Sequence, residues 1–441
     1  MIQILFVSLG CDKNLVDSEV MLGLLQDKGY SITNEEKEAD VAVINTCCFI
    51  HDAKEESIEN IIEIGKLKQT AKLKALIVTG CLAQRYKDEI HKELPEVDAI
   101  LGTTSTESIV EAVEEVLKGK GYDHFEDIDY LPPSHEKRVI TSGTYMGYLK
   151  IAEGCNKRCT YCIIPKVRGS FRSVPMEDLV AQARYLVSNG ITEICLVAQE
   201  TTLYGVDLYG EKKLPELLRK ISEIEDLEWI RLLYCYPEEI TKELIAEMKD
   251  NPKVCHYIDM PLQHCENDVL RRMGRRTTKE EIKQTIEYIR SEIPDIVLRT
   301  SLITGFPGET QEEHDALLEF IDEVEFNRLG VFTYSPEEDT PAASFENQVE
   351  ESVKEQWRDE IMELQQEISY DLNSTMVGKT LKVIVEGYLY KDQMYMCRSY
   401  MDAPDIDGCV FVASEDELLT GDFIEVTITD FNEYDLIGEI R

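Results

Sequence analysis

The chain has 441 residues, 43% hydrophobic and 30% charged, enough for two to four domains with real cores and unlike a disordered or fibrous composition. Its 46 basic against 86 acidic residues leave a formal charge of −40, which argues against a nucleic-acid binder and suits a basic partner. No apolar run approaches the roughly 18–20 residues of a membrane span, and the start MIQILFVSLG lacks a basic n-region and a cleavage site. A cytoplasmic protein that does not engage a membrane is expected.

Residues 1–118 alternate short apolar runs with amphipathic stretches. QILFVS (3–8), DVAVINT (40–46), ALIVTG (75–80) and DAILG (98–102) read as strands buried on both faces. Helical periodicity covers 16–28, 53–71, 85–94 and 107–117, so this βα alternation predicts a doubly wound sheet. Residues 119–140 are polar, hold Pro132-Pro133 and lack a period, which reads as a linker. Over 141–373 six further strands at 147–152, 193–198, 229–234, 256–260, 297–304 and 328–335 alternate with helices and end in a long polar helix near 349–372. Six βα units suit an incomplete (βα)6 barrel rather than a closed one. From 374 to 441 the period drops to two, with turns at Lys391-Asp392 and Gly421-Asp422, as expected of a small antiparallel β-barrel.

Thirteen cysteines are many for a compartment where disulfides are rare. Cys11, Cys47 and Cys81 each fall just past the carboxyl end of a predicted strand, the edge where open α/β sheets bind ligands. EGCNKRCTYC sets Cys155, Cys159 and Cys162 in a C-x3-C-x2-C loop after the first barrel strand. Three thiols on one loop suit three corners of a 4Fe–4S cube with the fourth iron open. Zinc is the alternative, although structural zinc prefers four protein ligands.

That loop, placed after a barrel strand, resembles the radical S-adenosylmethionine (SAM) superfamily. With LGCDKN, NTCCF and GCLAQR upstream and a small β-barrel downstream, the whole chain resembles the methylthiotransferase family, whose order is cluster domain, radical SAM core and TRAM domain. SLGCDKNLVDSE, AQETTLYGVDLYG, DMPLQH, GFPGET and RSYMDAPDIDG are more similar to the branch that modifies ribosomal protein uS12 than to the tRNA-modifying branch.

The resemblance implies that Cys11, Cys47 and Cys81 hold an auxiliary 4Fe–4S cluster, while Cys155, Cys159 and Cys162 hold the SAM-binding one. It implies a SAM pocket with Gln199 and Glu200 on one wall and Gly305 and Gly308 of GFPGET on another. The implied reaction adds a methylthio group to the β-carbon of an aspartate of uS12, through a 5′-deoxyadenosyl radical. An external electron donor and a sulfur donor are implied partners. The alternatives are a tRNA-adenosine methylthiotransferase and a non-catalytic iron–sulfur electron carrier.

Ordinary structural roles are expected for Cys48, for Cys195, Cys235, Cys255, Cys265, Cys397 and Cys409, and for His264. GFPGET also reads as a plain strand-to-helix turn with Glu309 and Thr310 near the cap. Arg271, Arg272, Arg275 and Arg276 form the one local basic patch, expected to face solvent. Residues 374–441 hold 5 basic and 14 acidic residues, and Asp402, Asp405 and Asp407 are expected to face a basic partner.

Overall fold

The structure, a computed structural model, describes residues 2–135 and 137–441. Met1, ahead of the first predicted strand, and Glu136, in the predicted linker, lie outside the described residues. The amino-terminal sheet comprises β1 (Gln3–Ser8), β2 (Ser31–Thr33), β3 (Val41–Thr46), β4 (Ala75–Gly80), β5 (Ala99–Leu101) and β6 (Tyr122–His124). All six are parallel, in the order β2-β1-β3-β4-β5-β6. Every side chain of β3 and β4 is buried, as sequences with no alternation require when helices cover both faces. The two edge strands escape the sequence reading because each is three residues long and half-polar. One of them, β6, lies inside the predicted linker.

The second sheet contains β7 (Met146–Lys150), followed by the short strands β8 (Ala152–Glu153) and β9 (Arg172–Ser173), which pair with each other across the C-x3-C-x2-C loop. It continues through β10 (Glu193–Val197), β11 (Trp229–Leu232), β12 (Val254–Asp259), β13 (Val297–Thr304) and β14 (Arg328–Thr333). The order β14-β13-β12-β11-β10-β7 is all parallel and open, the expected incomplete barrel. Its outer face (Leu149, Ile194, Leu196, Ile230, Leu298) packs on the surrounding helices. Its inner face (Tyr148, Cys195, Trp229, Cys255, Tyr257) packs instead against Val383, Val410 and Val426 of the carboxyl-terminal barrel. Among the described residues no helix is long and apolar enough to cross a membrane.

That small barrel is closed by β15 (Thr380–Leu389), β16 (Met394–Ser399), β17 (Val410–Ala413), β18 (Phe423–Phe431) and β19 (Leu436–Ile440). The pairing is antiparallel except between β17 and β19, which run parallel. A period of two marks strands but says nothing of their direction. The barrel is tied down by charge. Glu193 (fully buried) accepts from Arg231 at 2.9 Å and from Arg398 of β16, both also buried.

The acidic 402–407 turn belongs to the same seam, which corrects its expected role. Asp402 is buried against Arg328 at 2.6 Å, and Asp407 meets Arg299 at 3.3 Å and the Tyr257 hydroxyl at 2.7 Å. Only Asp405 of the three is exposed. A buried carboxylate left without its arginine would be costly, so two of these three are interdomain ties, although burial still raises the Asp402 carboxyl above its ordinary value against the pull of Arg328.

Candidate functional site

Because β1, β3 and β4 are neighbours, their carboxyl ends deliver Cys11, Cys47 and Cys81 side by side. Cys11 precedes the helix Asp12–Asp27, and Cys81 is the first residue of the helix Cys81–Glu93. The Cys11 loop can approach Cys47 only because residue 10 is glycine at φ +86°. A Cβ there would fall 2.6 Å from Cys47 Cβ. Asn14 staples the edge: its Nδ2 donates to the carbonyls of Leu9 and Thr46, each at 2.9 Å. Ser57 clamps Cys47 from behind, accepting its amide at 3.0 Å and donating to its carbonyl at 2.9 Å. Burial, then the neighbouring Cys81, pushes the Cys47 thiol up to about 12. Cys48 points into the apolar core with Leu5, Ile44 and Leu82.

The second trio is shaped by backbone. Cys155 N donates to Gly169 O at 3.1 Å, Cys162 N to Cys159 O at 3.1 Å, and Thr160 N to Met273 O at 2.9 Å. Cys155 and Cys159 are buried and Cys162 is half-buried. Burial lifts Cys155 to about 11, while the Lys157 amide, donating to its sulfur at 3.5 Å, pulls the other way. All thirteen cysteines are free. Among the described residues no three His, Cys, Asp or Glu side chains are spaced to hold a single ion. A cube asks for a wider set, since each thiolate meets a different iron, and ligation takes up thiols that burial otherwise keeps protonated.

Gln199 and Glu200 follow β10 beside the second trio. Gln199 Nε2 donates to Glu153 at 2.9 Å, and Glu200 Oε1 accepts from the amide and hydroxyl of Thr202. Gln199 Oε1 and Glu200 Oε2 are buried with no hydrogen-bond partner. Such orphaned atoms are what a polar ligand bearing an amine and hydroxyls would satisfy. Burial raises Glu200 to about 7, against the hydrogen bond from Thr202 and the charge of Lys157. Gly305 and Gly308, at φ +71° and +78°, lie beyond β13, with two strands, β12 and β11, between it and β10. The sheet therefore separates the two sets of expected SAM-pocket residues across its concave face.

GFPGET also shows its ordinary side. Thr310 caps the helix Gln311–Val324 in a capping box with Glu313. Glu309 accepts from Phe306 N at 2.9 Å and faces His264 Nε2 at 3.3 Å. His264 Nδ1 accepts from Glu266 N at 3.0 Å, so both nitrogens are occupied within the fold. The basic run is corrected at two positions. Arg275 is buried, stacked 4.2 Å over Tyr236 and donating to Pro261 O, and Arg272 donates to Gly308 O at 3.2 Å. Arg271 does face solvent.

Sequence reasoning missed what joins the trios. Arg168, just past the second trio, is buried. Its Nε donates to Cys81 Sγ at 3.4 Å, its Nη1 to Asp17 at 2.7 Å and Glu153 at 3.1 Å, and its Nη2 to Asn14. Lys150 bridges the same two carboxylates, reaching Glu153 at 2.8 Å. Burial opposes the charge on Glu153, yet Lys150 and Arg168 together hold its carboxyl well below the usual range. A hydrogen-bonded ladder thus runs Cys81–Arg168–Glu153–Gln199, two cations against two carboxylates, from the first trio to the residues flanking the second. One signal was in the sequence: Lys150 and Glu153 stand in the otherwise apolar stretch GYLKIAEGC (147–155).

At the mouth between the domains, Lys13 Nζ stands 3.3 Å from the centroid of the Tyr234 ring and 2.9 Å from Asp12. Tyr234 adopts φ +61° beyond the end of β11, and its hydroxyl donates to Asp12 Oδ1 at 3.2 Å.

Comparison with known proteins agrees with this architecture. Residues 3–102 match the Uncharacterized protein family UPF0004, 149–321 the Radical SAM superfamily and 377–440 the TRAM domain. The chain is 59% identical over 436 residues to the ribosomal protein uS12 methylthiotransferase RimO of Lachnoclostridium phytofermentans, covering 99% of both chains. It is 48% identical over 440 residues to the protein of that name from Clostridioides difficile, covering 100% of this chain and 99% of the relative. The radical SAM methyltransferase TsrM of Kitasatospora setae, solved with tryptophan and a SAM analogue, shares the fold at a TM-score of 0.55 and 14% identity, over 78% of this chain and 75% of that one. The cobalamin-dependent radical enzyme OxsB does so at 0.53 and 12%, over 83% and 56%.

Proposed function

Because this chain belongs to the RimO family of ribosomal protein uS12 methylthiotransferases, we propose that it adds a methylthio group to the β-carbon of an aspartate of uS12. It is a radical SAM transferase of sulfur-containing groups, and it uses SAM and two 4Fe–4S clusters. Bound, these supply the one-electron chemistry that opens an unactivated C–H bond and the sulfur that is inserted.

The chain's own residues do the holding. Cys155, Cys159 and Cys162 would bind the SAM-associated cluster, and Cys11, Cys47 and Cys81 the auxiliary one. Gln199 and Glu200 would meet polar groups of SAM from the β10 side, and the Gly305 and Gly308 backbone would approach it from the β13 side. Asn14 and Ser57 fix the auxiliary edge, and the Arg168 ladder holds the trios in register. The proposed domain limits are 1–118, 119–140, 141–373 and 374–441. The proposed setting is the cytoplasm, with an electron donor and a sulfur donor supplied by other molecules.

The observation that carries this reading is the buried polar ladder that starts on Cys81 of one trio and ends on Gln199 and Glu153, the latter lying two residues before Cys155 of the other, which a lone electron-carrying cluster does not call for. The tRNA reading is disfavoured by charge, since the carboxyl-terminal barrel holds 14 acidic against 5 basic residues. Mass spectrometry of uS12 from cells with and without this protein tests the proposal. A methylthio increment on one aspartate, present only with the protein, is expected; its absence in both samples overturns the assignment.

A further inference from the structure

Lys13 differs from the other buried cations of the site. Arg168 and Lys150 each face both Asp17 and Glu153, and Lys157 faces Glu200, Glu238 and Glu239. Lys13 faces one carboxylate, Asp12, and otherwise the Tyr234 ring, with a side chain only 7% exposed. Asp12 is half used: Oδ1 accepts from the Tyr234 hydroxyl, while Oδ2 is buried and has no hydrogen-bond partner. Tyr234 is held at positive φ by its amide, which donates to Asp259 at 3.0 Å. A strained non-glycine residue persists only where its surroundings over-determine it, and such residues gather at binding sites. Two domains thus bring together a cation with spare donors and a buried acceptor with no partner, directly after Cys11 in the chain.

Leaving a buried acceptor unmet is costly, so the cradle is built for a ligand that offers an N–H and an anionic oxygen a few bonds apart. An aspartate residue within a polypeptide has both, its main-chain amide and its carboxylate. In the proposed reaction the carbon that receives sulfur is bonded directly to the carboxylate carbon. The cation that holds this carboxylate must therefore flank the auxiliary trio, and Lys13 lies two residues beyond Cys11. We infer that Lys13 and Asp12 are the specificity-determining pair that reads the substrate aspartate: Lys13 Nζ donates to its carboxylate and Asp12 Oδ2 accepts its peptide N–H.

The inference rests on the uS12 reading above and says how that site selects aspartate. It is tested with full-length, cluster-reconstituted enzyme in the absence of reductant. Dissociation constants are measured for uS12 and for uS12 carrying Asp→Asn at the position that mass spectrometry finds modified. The native chain should prefer the aspartate form by about 10- to 100-fold, the range of a charge-assisted hydrogen bond. Lys13→Gln should bring the ratio to about one, and Lys13→Arg should keep most of it. Iron content is read on every variant; if Lys13→Gln fails to load, the comparison rests on Lys13→Arg against Asp12→Asn, which keeps the shape but offers a mismatched amide and should weaken both uS12 forms. An unchanged preference in Lys13→Gln, or a Lys13→Arg variant with no preference at normal iron content, overturns the inference. A native enzyme that modifies no aspartate of uS12 overturns the functional reading instead.

Discussion

Replacing Glu193 with Gln should unlatch the carboxyl-terminal barrel from the radical SAM sheet. Glu193 is fully buried, and its carboxylate stands between two buried guanidiniums, Arg231 and Arg398. Each charge pair at about 4 Å is worth about 4 kcal/mol at an effective dielectric of about 20. The amide removes both attractions and leaves the arginines facing each other. Arg398 keeps Glu386 at 2.7 Å, and Arg231 keeps the carbonyl of Tyr400 at 2.7 Å, so the loss is partial. Breaking such a buried pair from one side costs about 3–5 kcal/mol.

Fluorescence can report this transition because Trp229 packs edge-on to Phe423 of the small barrel, with centroids 4.9 Å apart. The chain's other tryptophan, Trp357, is removed as Trp357→Phe. With a urea slope of about 1–3 kcal/mol per M, the midpoint should fall by at least about 1 M. The triple replacement Glu193→Leu, Arg231→Met, Arg398→Met should recover most of the loss, since apolar residues of similar volume often replace a buried ion group at little cost. Burial opposes the charge on Glu193, but Arg398 and Arg231 hold its carboxyl below the usual value of 4.5. Its contribution is therefore present above that value and lost as pH falls through the lowered one. A Glu193→Gln midpoint within about 0.3 M of the parent would refute the latch.

Glu200 should act with the opposite sign: its folded value, raised from 4.5 to about 7, makes the native state bind more protons, so stability falls by about 3 kcal/mol as pH rises across that window. Glu200→Gln should flatten this slope in urea titrations between pH 5 and pH 8, and an unchanged slope would assign the effect elsewhere. Anaerobic reconstitution should load about eight irons per chain, the content of two cubes. Substituting Cys155, Cys159 and Cys162 together with Ala should leave about half, and full iron in that variant would overturn the assignment. Arg168→Met removes the donor to Cys81 and leaves Asp17 and Glu153 to share Lys150 as their cation. A stability loss of about 3–5 kcal/mol and a drop in auxiliary-cluster iron are expected, and parent-like iron and stability would show the ladder to be incidental. Asp402→Asn should destabilise the chain by unpairing Arg328 rather than alter the salt dependence of uS12 binding, which surface plasmon resonance at two salt concentrations would separate.

The sequence by itself determined where the longer strands run and which thiols stand at their ends. Apolar period and length decide burial locally, so β1, β4 and β13 have the bounds read from sequence. The cysteine spacings singled out six of the thirteen thiols for the proposed clusters, because a strand end and a tight loop are local features. Starts of helices were less legible. Asp12–Asp27 begins four residues before its apolar period does, since its first turn is polar and packs on the site rather than on the core. What only the tertiary structure decided is the pairing of polar groups distant in the chain. Whether Asp402 is a hydrated docking charge or the partner of Arg328, and whether Arg275 faces water or Tyr236, depends on residues about 70 and 40 positions away in the chain. The same holds for Asn14, Arg168 and Lys13, which look like ordinary surface residues until folding sets them against Cys81, Glu153 and Tyr234. Charge is read in sequence one residue at a time, but its energy depends on distance and on exclusion of water, and both are properties of the fold.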